Sequence, residues 1–238
     1  MKLSKRLETV ASMVTKGNRA ADVGCDHGFV PIFLVESGIS PLAVAADVRP
    51  GPLSRAKEHI KEHRLEEKIQ TRLSDGLANI KPGEADSLIM SGIGGILMMR
   101  LLQDEEHTAK SFKELILSPQ SELFDVRRYL VSNGYLIEYE HMLCDEGKYY
   151  FIFHVLVKKD EREWSEEEYR YGKDICKDDM KTFLAYLEKE ERQYEQILEK
   201  MKQAPENDRA AQRIAQLHQD ITCLKKRRQL VYDCGYFA

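Results

Sequence analysis

The stretch that most constrains this chain covers residues 19–31, where small apolar residues lead into acids, two glycines and a new apolar helix. Gly24 and Gly28 form a Gly-x-x-x-Gly turn, which lets the backbone approach a ligand and lets the helix start close to the strand. The dinucleotide fingerprint Gly-x-Gly-x-x-Gly is not met, because Asp26 replaces its second glycine and Asp22 adds a carboxylate before the turn. The turn therefore predicts a nucleotide-binding α/β fold whose ligand is cationic.

S-adenosylmethionine has the charges that this turn favours, since it carries an ammonium and a sulfonium and no phosphate. The next small apolar run, residues 42–46, predicts a second buried strand that ends at Asp47. Asp47 follows Gly24 by about 20 residues, the spacing at which such folds place the acid that binds a ribose. The alternative for Asp47 is a loop or capping aspartate.

Two further turns complete the predicted donor site. Asp75 and Gly76 end a third strand, where a carboxylate could accept from the adenine amine, although Asp-Gly is also a common turn dipeptide. A fourth strand runs into residues 91–95, which contain three glycines. Glycines this dense make room for a ligand against the backbone, and a tight strand-to-helix turn is the alternative.

Composition narrows the class of protein. The chain has 238 residues and a formal net charge of −4, which argues against indiscriminate coating of nucleic acid but is compatible with a local basic face. No apolar run approaches the ~20 residues of a membrane span, and no signal-peptide core begins the chain, so we expect a cytoplasmic protein without membrane contact. The five cysteines form no Cys-x-x-Cys pair and have no histidine in metal spacing, so we expect no metal.

The order of predicted elements defines the fold class. Five strand–helix units are followed by two longer strands, residues 135–143 and 149–157, which a glycine-containing turn joins into a hairpin. This pattern predicts an α/β fold with a doubly wound, Rossmann-like sheet and an antiparallel edge. We assign residues 1–159 to this domain.

Residues 160–238 have a different character. After a charged linker, apolar residues recur at spacings close to three and four on both sides of a break at residues 204–207. They predict a C-terminal antiparallel α-helical coiled-coil hairpin. The heptads could pair within the hairpin or between chains, and we favour a monomer.

Basic residues in three places are candidates for RNA contact. They are Lys5 and Arg6 in a first amphipathic helix, Arg49 after the second strand, and the cluster Lys225, Lys226, Arg227 and Arg228 near the end of the last helix. Solvated helix surface and favourable placement in the helix dipole are the alternatives for such residues.

Five motifs together resemble one known family. They are SKRLETVASMV, ADVGCDHGFVPIFL, MSGIGG, LILSPQ and DEGKYYFI, and the similarity covers essentially the whole length. The chain resembles the bacterial tRNA (adenine-N1)-methyltransferases called TrmK, which methylate adenine 22 in the D-arm. The resemblance implies that the doubly wound, Rossmann-like sheet is a class I methyltransferase domain, with S-adenosylmethionine as cofactor and tRNA as substrate. By position it implies donor binding by Asp22, Gly24, Cys25, Gly28, Asp47, Val48, Asp75, Gly76, Ser91, Gly92, Gly94 and Gly95.

Methyl transfer to adenine N1 produces a positively charged ring, which a carboxylate near the exocyclic amine would stabilise. We expect Asp26 to be this catalytic carboxylate, with His27 as a weaker candidate. The alternative for both is a structural role within the first turn, Asp26 as a helix cap and His27 as a hydrogen-bonded side chain.

Three rival functions remain at this stage. The same cofactor domain could methylate another RNA or a small molecule, but the additional mass here is a C-terminal coiled coil and not a lid. A non-catalytic adaptor would not need the acids and glycines of the first turn. An NAD dehydrogenase is disfavoured by the acidic first turn.

Overall fold

The computed structural model describes residues 3–175, 177–202 and 208–233. Its centre is a seven-stranded sheet in the order β3-β2-β1-β4-β5-β7-β6. The strands are β1 (Ala20–Val23), β2 (Ala43–Asp47), β3 (Ile69–Leu73), β4 (Ser87–Ser91), β5 (Glu114–Ser118), β6 (Leu136–Asp145) and β7 (Lys148–Leu156). The first five are parallel, and β7 pairs antiparallel with both β5 and β6. The predicted doubly wound sheet with an antiparallel edge is confirmed.

Helices cover both faces of the sheet and form two apolar cores. They are α1 (Lys5–Ser12), α2 (Phe29–Glu36), α3 (Pro50–Glu62), α4 (Gly95–Asp104), α5 (Glu106–Ala109), α6 (Leu123–Ser132), α7 (Glu166–Tyr171), α8 (Met180–Lys202) and α9 (Asp208–Asp233). Because both faces are covered, β1, β2 and β5 are buried throughout, which explains why these strands read as continuous apolar or small-residue runs. No helix in this described part of the chain has the length and hydropathy of a membrane span.

The strand order positions the site. The chain passes from β1 outward to β2 and β3, then returns to the other side of β1 as β4. The loops that follow β1 and β4 therefore diverge at the carboxyl edge of the sheet, the place where open α/β sheets bind ligands.

The C-terminal helices pack against the sheet domain along part of their length. Phe183 and Leu187 of α8 and Leu224 and Val231 of α9 belong to the same core as the sheet residues. Farther along, Leu198, Leu217 and Ile221 form a small separate core between α8 and α9. The predicted break at residues 204–207 lies outside the described residues.

The stretch that we predicted as a charged linker contains α7, which begins with a capping box between Ser165 and Glu168. Arg127, fully buried, donates to both carboxylate oxygens of Glu140 and to the main-chain oxygens of Tyr169 and Arg170. This contact fixes the end of α7 to α6 and β6. The boundary between residues 159 and 160 stays a prediction, and residues beyond it contribute to the core of the sheet.

Candidate active site

A crevice of about 420 Å³ opens at the carboxyl edge of the sheet, within the ~300–1,000 Å³ usual for small-molecule sites. Its lining comes from α1, from α4, and from the ends of β1 to β5 with the loops that follow these strands. The lining residues are Arg6, Val23, Gly24, Asp26, Asp47, Val48, Arg49, Ser74, Asp75, Gly76, Ser91, Gly92, Ile93, Leu97, Leu101 and Gln120.

The first turn places two glycines in different roles. Gly24 has a φ of +80°, and a Cβ there would meet nothing closer than Ile93 Cγ2 at 3.7 Å, so its backbone faces open space in the crevice. Gly28 has a φ of +71°, and a Cβ there would lie 3.1 Å from Cβ of Ala56. Gly24 therefore leaves room for a ligand, whereas Gly28 lets α2 approach α3 and does not line the crevice.

Asp47 is held at the crevice wall by main-chain donors. Its Oδ2 accepts the N–H of Asp26 at 3.3 Å, and its Oδ1 accepts the N–H of Arg49 at 2.8 Å. The side chain is nearly buried yet still lines the crevice. A carboxylate oriented in this way can accept further hydrogen bonds from a ligand with its remaining lone pairs.

Asp22, which we expected to bind the donor, is buried and does not line the crevice. Burial is the main cause that raises the pKa of Asp22 to about 7, and the charge of Asp47 raises it further, while Arg6 opposes the shift. Cys25 is also buried outside the lining, and burial raises the pKa of its thiol. These two residues can influence a ligand through charge and packing, not through the crevice surface.

The third and fourth loops place Asp75, Gly76, Ser91 and Gly92 in the lining as expected. Asp75 is exposed, with its Oδ1 3.7 Å from Nη2 of Arg100. The hydroxyl oxygen of Ser91 accepts a 2.6 Å hydrogen bond from Nη1 of Arg6. Gly92 has a φ of +87°, and a Cβ there would lie 3.4 Å from Nη1 of Arg6 and 3.6 Å from Nε2 of Gln120.

Gly94 and Gly95 lie at the strand-to-helix turn, and their packing favours the alternative interpretation, while their donor contact stays a prediction. Neither lines the crevice. A Cβ on Gly95 would lie 2.5 Å from the main-chain oxygen of Ser121 and 2.8 Å from Cγ2 of Val126. Gly95 is therefore required for the close packing of α4 against α6.

Asp26 and His27 are in contact, with Nε2 of His27 3.5 Å from Oδ2 of Asp26, but only Asp26 lines the crevice. Asp26, with a φ of +47°, lines the crevice and has an exposed carboxylate. His27 is not in the lining; its ring stacks on Phe29 at 5.4 Å and on His59 at 5.8 Å between ring centroids. Its carbonyl oxygen lies 3.0 Å from Nδ1 of His59. These contacts favour a structural role for His27, and its catalytic role stays a prediction.

Arg6 and Arg49, which we assigned to RNA, both line the crevice. Sequence reasoning also missed Val23, Ser74, Ile93, Leu97, Leu101 and Gln120. Leu97 and Leu101 stand four residues apart on α4 directly after the glycine loop, a spacing that could have indicated one apolar wall. Arg6 gave no such signal, because its contact with Ser91 joins residues far apart in the chain.

The basic cluster near the end of α9 contacts the protein itself. Lys225 and Arg228 pair with Glu191, and Lys226 pairs with Glu167. Arg227 donates to the main-chain oxygen of Lys173 at 3.0 Å, and burial lowers its pKa. The cluster lies where α9 packs on α7 and α8. Its contact with RNA stays a prediction. Lys5 is exposed on α1 and does not line the crevice.

Comparison with known proteins identifies the family to which this fold and crevice belong. Residues 3–153 match the family described as a methyltransferase domain. Among curated proteins, the tRNA (adenine(22)-N(1))-methyltransferase of Bacillus subtilis is 28% identical over 95% of this chain and 97% of its own length. A putative tRNA methyltransferase of Mycoplasma pneumoniae is 30% identical over 70% of this chain and 77% of its own length.

Solved structures agree with these relatives. Sp1610 of Streptococcus pneumoniae, described as a putative tRNA (m1A22) methyltransferase, superposes with a TM-score of 0.85 at 32% identity over 95% of this chain and all of its own. The same protein in complex with S-adenosyl-L-methionine gives a TM-score of 0.83 at 31% identity, over 95% of this chain and all of its own.

Proposed function

The chain belongs to the methyltransferase-domain family, among the tRNA (adenine(22)-N(1))-methyltransferases, and from this membership we propose that it transfers the methyl group of S-adenosylmethionine to N1 of adenine 22 in tRNA. The observation that carries the proposal is the crevice at the carboxyl edge of β1, β2 and β4. The relatives support a tRNA substrate over a small molecule and over a non-catalytic adaptor.

The residues of the crevice suit S-adenosylmethionine. The open backbone at Gly24 provides a cradle that a Cβ would fill, and Asp47 presents an oriented carboxylate to a ribose. Val48 and Leu97 are large apolar side chains that are 57% and 39% exposed, so they offer apolar surface to an adenine. The carboxylates of the lining, three in number, outnumber its two arginines and favour a cationic donor; they are Asp26, Asp47 and Asp75, against Arg6 and Arg49.

We assign the contacts by chemistry. Asp47 accepts from the ribose hydroxyls, and Asp75 with Gly76 lies at the adenine. Arg6, which reaches Ser91 from α1, is placed to pair with the carboxylate of the donor's methionine part. Asp22, buried near Asp47, attracts the ammonium and the sulfonium when its carboxyl is ionised.

The donor supplies an electrophilic methyl group that leaves a neutral sulfur, so the protein needs no acid to assist the leaving group. Adenine N1 already has a lone pair, and the task of the chain is to hold the base in line and to exclude water. Because N1 lies on the Watson–Crick edge, the acceptor base must be unpaired and turned into the crevice. Asp26, exposed to the crevice, accepts from the exocyclic amine and stabilises the charge that develops on the ring.

Four further expectations belong to this proposal. We place the enzyme in the cytoplasm with its substrate, as a monomer, with a boundary between its two parts near residue 159. The pairing of α8 with α9 supports a coiled-coil arrangement in the outer section of the hairpin, where Leu198 meets Leu217 and Ile221.

The test is incubation of the protein with labelled S-adenosylmethionine and unmodified tRNA transcribed in vitro, followed by nucleoside analysis. We expect 1-methyladenosine to approach one equivalent per tRNA. A matched tRNA with guanine at position 22 should accept no methyl group. Equal methylation of both tRNAs would refute the position, and absence of 1-methyladenosine would refute the activity.

A further inference from the structure

A second cleft, of about 390 Å³, lies beside the crevice, between the β6–β7 turn and α8. Tyr149, Tyr150 and Lys148 enter it from β7, and Tyr186 and Lys189 from α8. We call this group the tyrosine cleft. Nothing in the donor site described above requires these five side chains.

The tyrosine cleft is connected to the crevice at two points. Gln120, at the end of the fifth strand, lines both cavities. The guanidinium of Arg6, which lines the crevice, lies 5.5 Å from the ring centroid of Tyr150, which lines the cleft. A polymer that inserts one residue into the crevice therefore brings its neighbouring residue to the cleft.

The surface chemistry of the cleft matches a nucleotide. Tyr149 and Tyr186 meet edge to face with centroids 5.4 Å apart, and Nζ of Lys189 lies 5.1 Å from the centroid of Tyr149. Aromatic rings stack on any base, and ammonium groups contact phosphate. Glu190 is the carboxylate of this lining; it accepts from the hydroxyl of Tyr194 at 3.0 Å and is outnumbered by Lys148 and Lys189.

We propose that the tyrosine cleft binds an unpaired nucleotide of the tRNA that adjoins the acceptor adenine. The proposal rests on the proposed function, since turning the acceptor out of its stack deprives the adjoining base of a neighbour. The tyrosine rings replace that neighbour, and Lys148 and Lys189 hold the phosphate between the two nucleotides. The cleft thus positions the substrate and takes no part in the chemical step.

Charge reversal in the full-length protein is the first test. Lys189→Glu should raise the KM for tRNA about tenfold or more and leave kcat and donor affinity within about twofold. Because one phosphate contact is lost, the slope of the logarithm of tRNA affinity against the logarithm of salt concentration should fall by about one. Lys181→Glu, the same change at an exposed position of the same helix outside the cleft, should leave the KM for tRNA unchanged. Tyr149→Phe should behave like wild type, and Tyr149→Leu should raise the KM for tRNA because it loses the aromatic face.

Photocrosslinking of the unaltered protein is the second test, since it does not depend on the folding of a variant. A tRNA that lacks the natural modifications and carries a single 4-thiouridine beside position 22 should crosslink to the peptide that contains Tyr149 and Tyr150. If wild type methylates tRNA but Lys189→Glu and Tyr149→Leu leave the KM for tRNA unchanged, the proposed role of the cleft is wrong and the proposed function stands. Crosslinks confined to other peptides would have the same meaning. If wild type forms no 1-methyladenosine on tRNA, both the proposed function and the proposed role of the cleft are wrong.

Discussion

Arg6 donates a 2.6 Å hydrogen bond from Nη1 to the hydroxyl oxygen of Ser91 and so joins α1 to the glycine loop after β4. The same guanidinium lies over the ring of Tyr150, and its charge acts on the buried carboxyl of Asp22. The donor crevice, the acid beneath it and the tyrosine cleft therefore meet at one side chain.

Replacing Arg6 tests its proposed contact with the donor carboxylate. Arg6→Ala should weaken binding of both S-adenosylmethionine and S-adenosylhomocysteine about 10–100-fold, since both carry this carboxylate and charged hydrogen bonds contribute ~1.5–3 kcal/mol. Calorimetric titration measures both affinities, with Lys5→Ala as the control at an exposed neighbouring position. Unchanged donor affinity with weakened tRNA binding would return Arg6 to the RNA role predicted from the sequence.

Asp26 and His27 should differ in their effect on turnover. Asp26→Asn removes the charge proposed to stabilise the methylated ring, so kcat should fall about 10²–10³-fold with donor affinity within a few-fold. His27→Ala should keep kcat within a few-fold, because the ring is stacked outside the crevice lining. Single-turnover methylation and donor titration separate the two effects. An equal loss of donor affinity and kcat in Asp26→Asn would assign Asp26 to binding.

Asp22 should give the stability a specific pH dependence. Its pKa is raised to about 7 in the folded chain, against about 3.9 for an unfolded aspartate, so the folded state binds more protons between these values. The stabilising contribution is complete below about pH 4 and is lost as pH rises through 7. The free energy of unfolding of wild type minus that of Asp22→Asn should therefore decrease across this window and level off above it. Urea denaturation of both proteins at a series of pH values measures the difference, and a constant difference would contradict the burial argument.

Breaking the buried pair of Arg127 and Glu140 should be strongly destabilising. Glu140→Gln leaves the guanidinium without a compensating charge at a site with no exposure, and we expect a loss of about 3–5 kcal/mol in the free energy of unfolding. Glu161→Gln alters an exposed pair with Lys159 and should change stability by less than about 1 kcal/mol. Chemical denaturation measures both variants. A loss below 1 kcal/mol in Glu140→Gln would mean that water or another acid reaches Arg127.

Gly95 should prove to be a packing residue. Gly95→Ala should lower the free energy of unfolding by about 1–3 kcal/mol, because its Cβ would overlap the main-chain oxygen of Ser121. Gly51→Ala is the control, since a Cβ at Gly51 in α3 meets no atom within 4 Å. Thermal unfolding with and without donor distinguishes packing from binding. Weakened donor affinity at wild-type stability would restore Gly95 to the predicted donor site.

The local sequence pattern was sufficient to predict a site residue where the same stretch of chain forms a strand and the part of the crevice that follows it. The buried parallel strands show as apolar or small-residue runs because helices cover both faces of the sheet. Gly24 follows β1 directly, Asp47 ends β2, and Asp75 stands two residues after β3. The carboxyl ends of parallel strands lie at one edge, so the sequence alone determined the fold class and most of the acidic crevice.

Tertiary packing decided what no local pattern contains. Burial keeps the side chain of Asp22 out of the crevice lining, and a Cβ on Gly95 would overlap the main chain of Ser121. Contacts between residues far apart in the chain bring Arg6 to Ser91 and Tyr186 to Tyr149. Periodicity in α8 and α9 predicted two paired helices, but it could not show that their near ends share the core of the sheet. The physical reason is that burial, steric exclusion and long-range contact depend on the arrangement of elements in space, whereas sequence spacing reports only the geometry within one element.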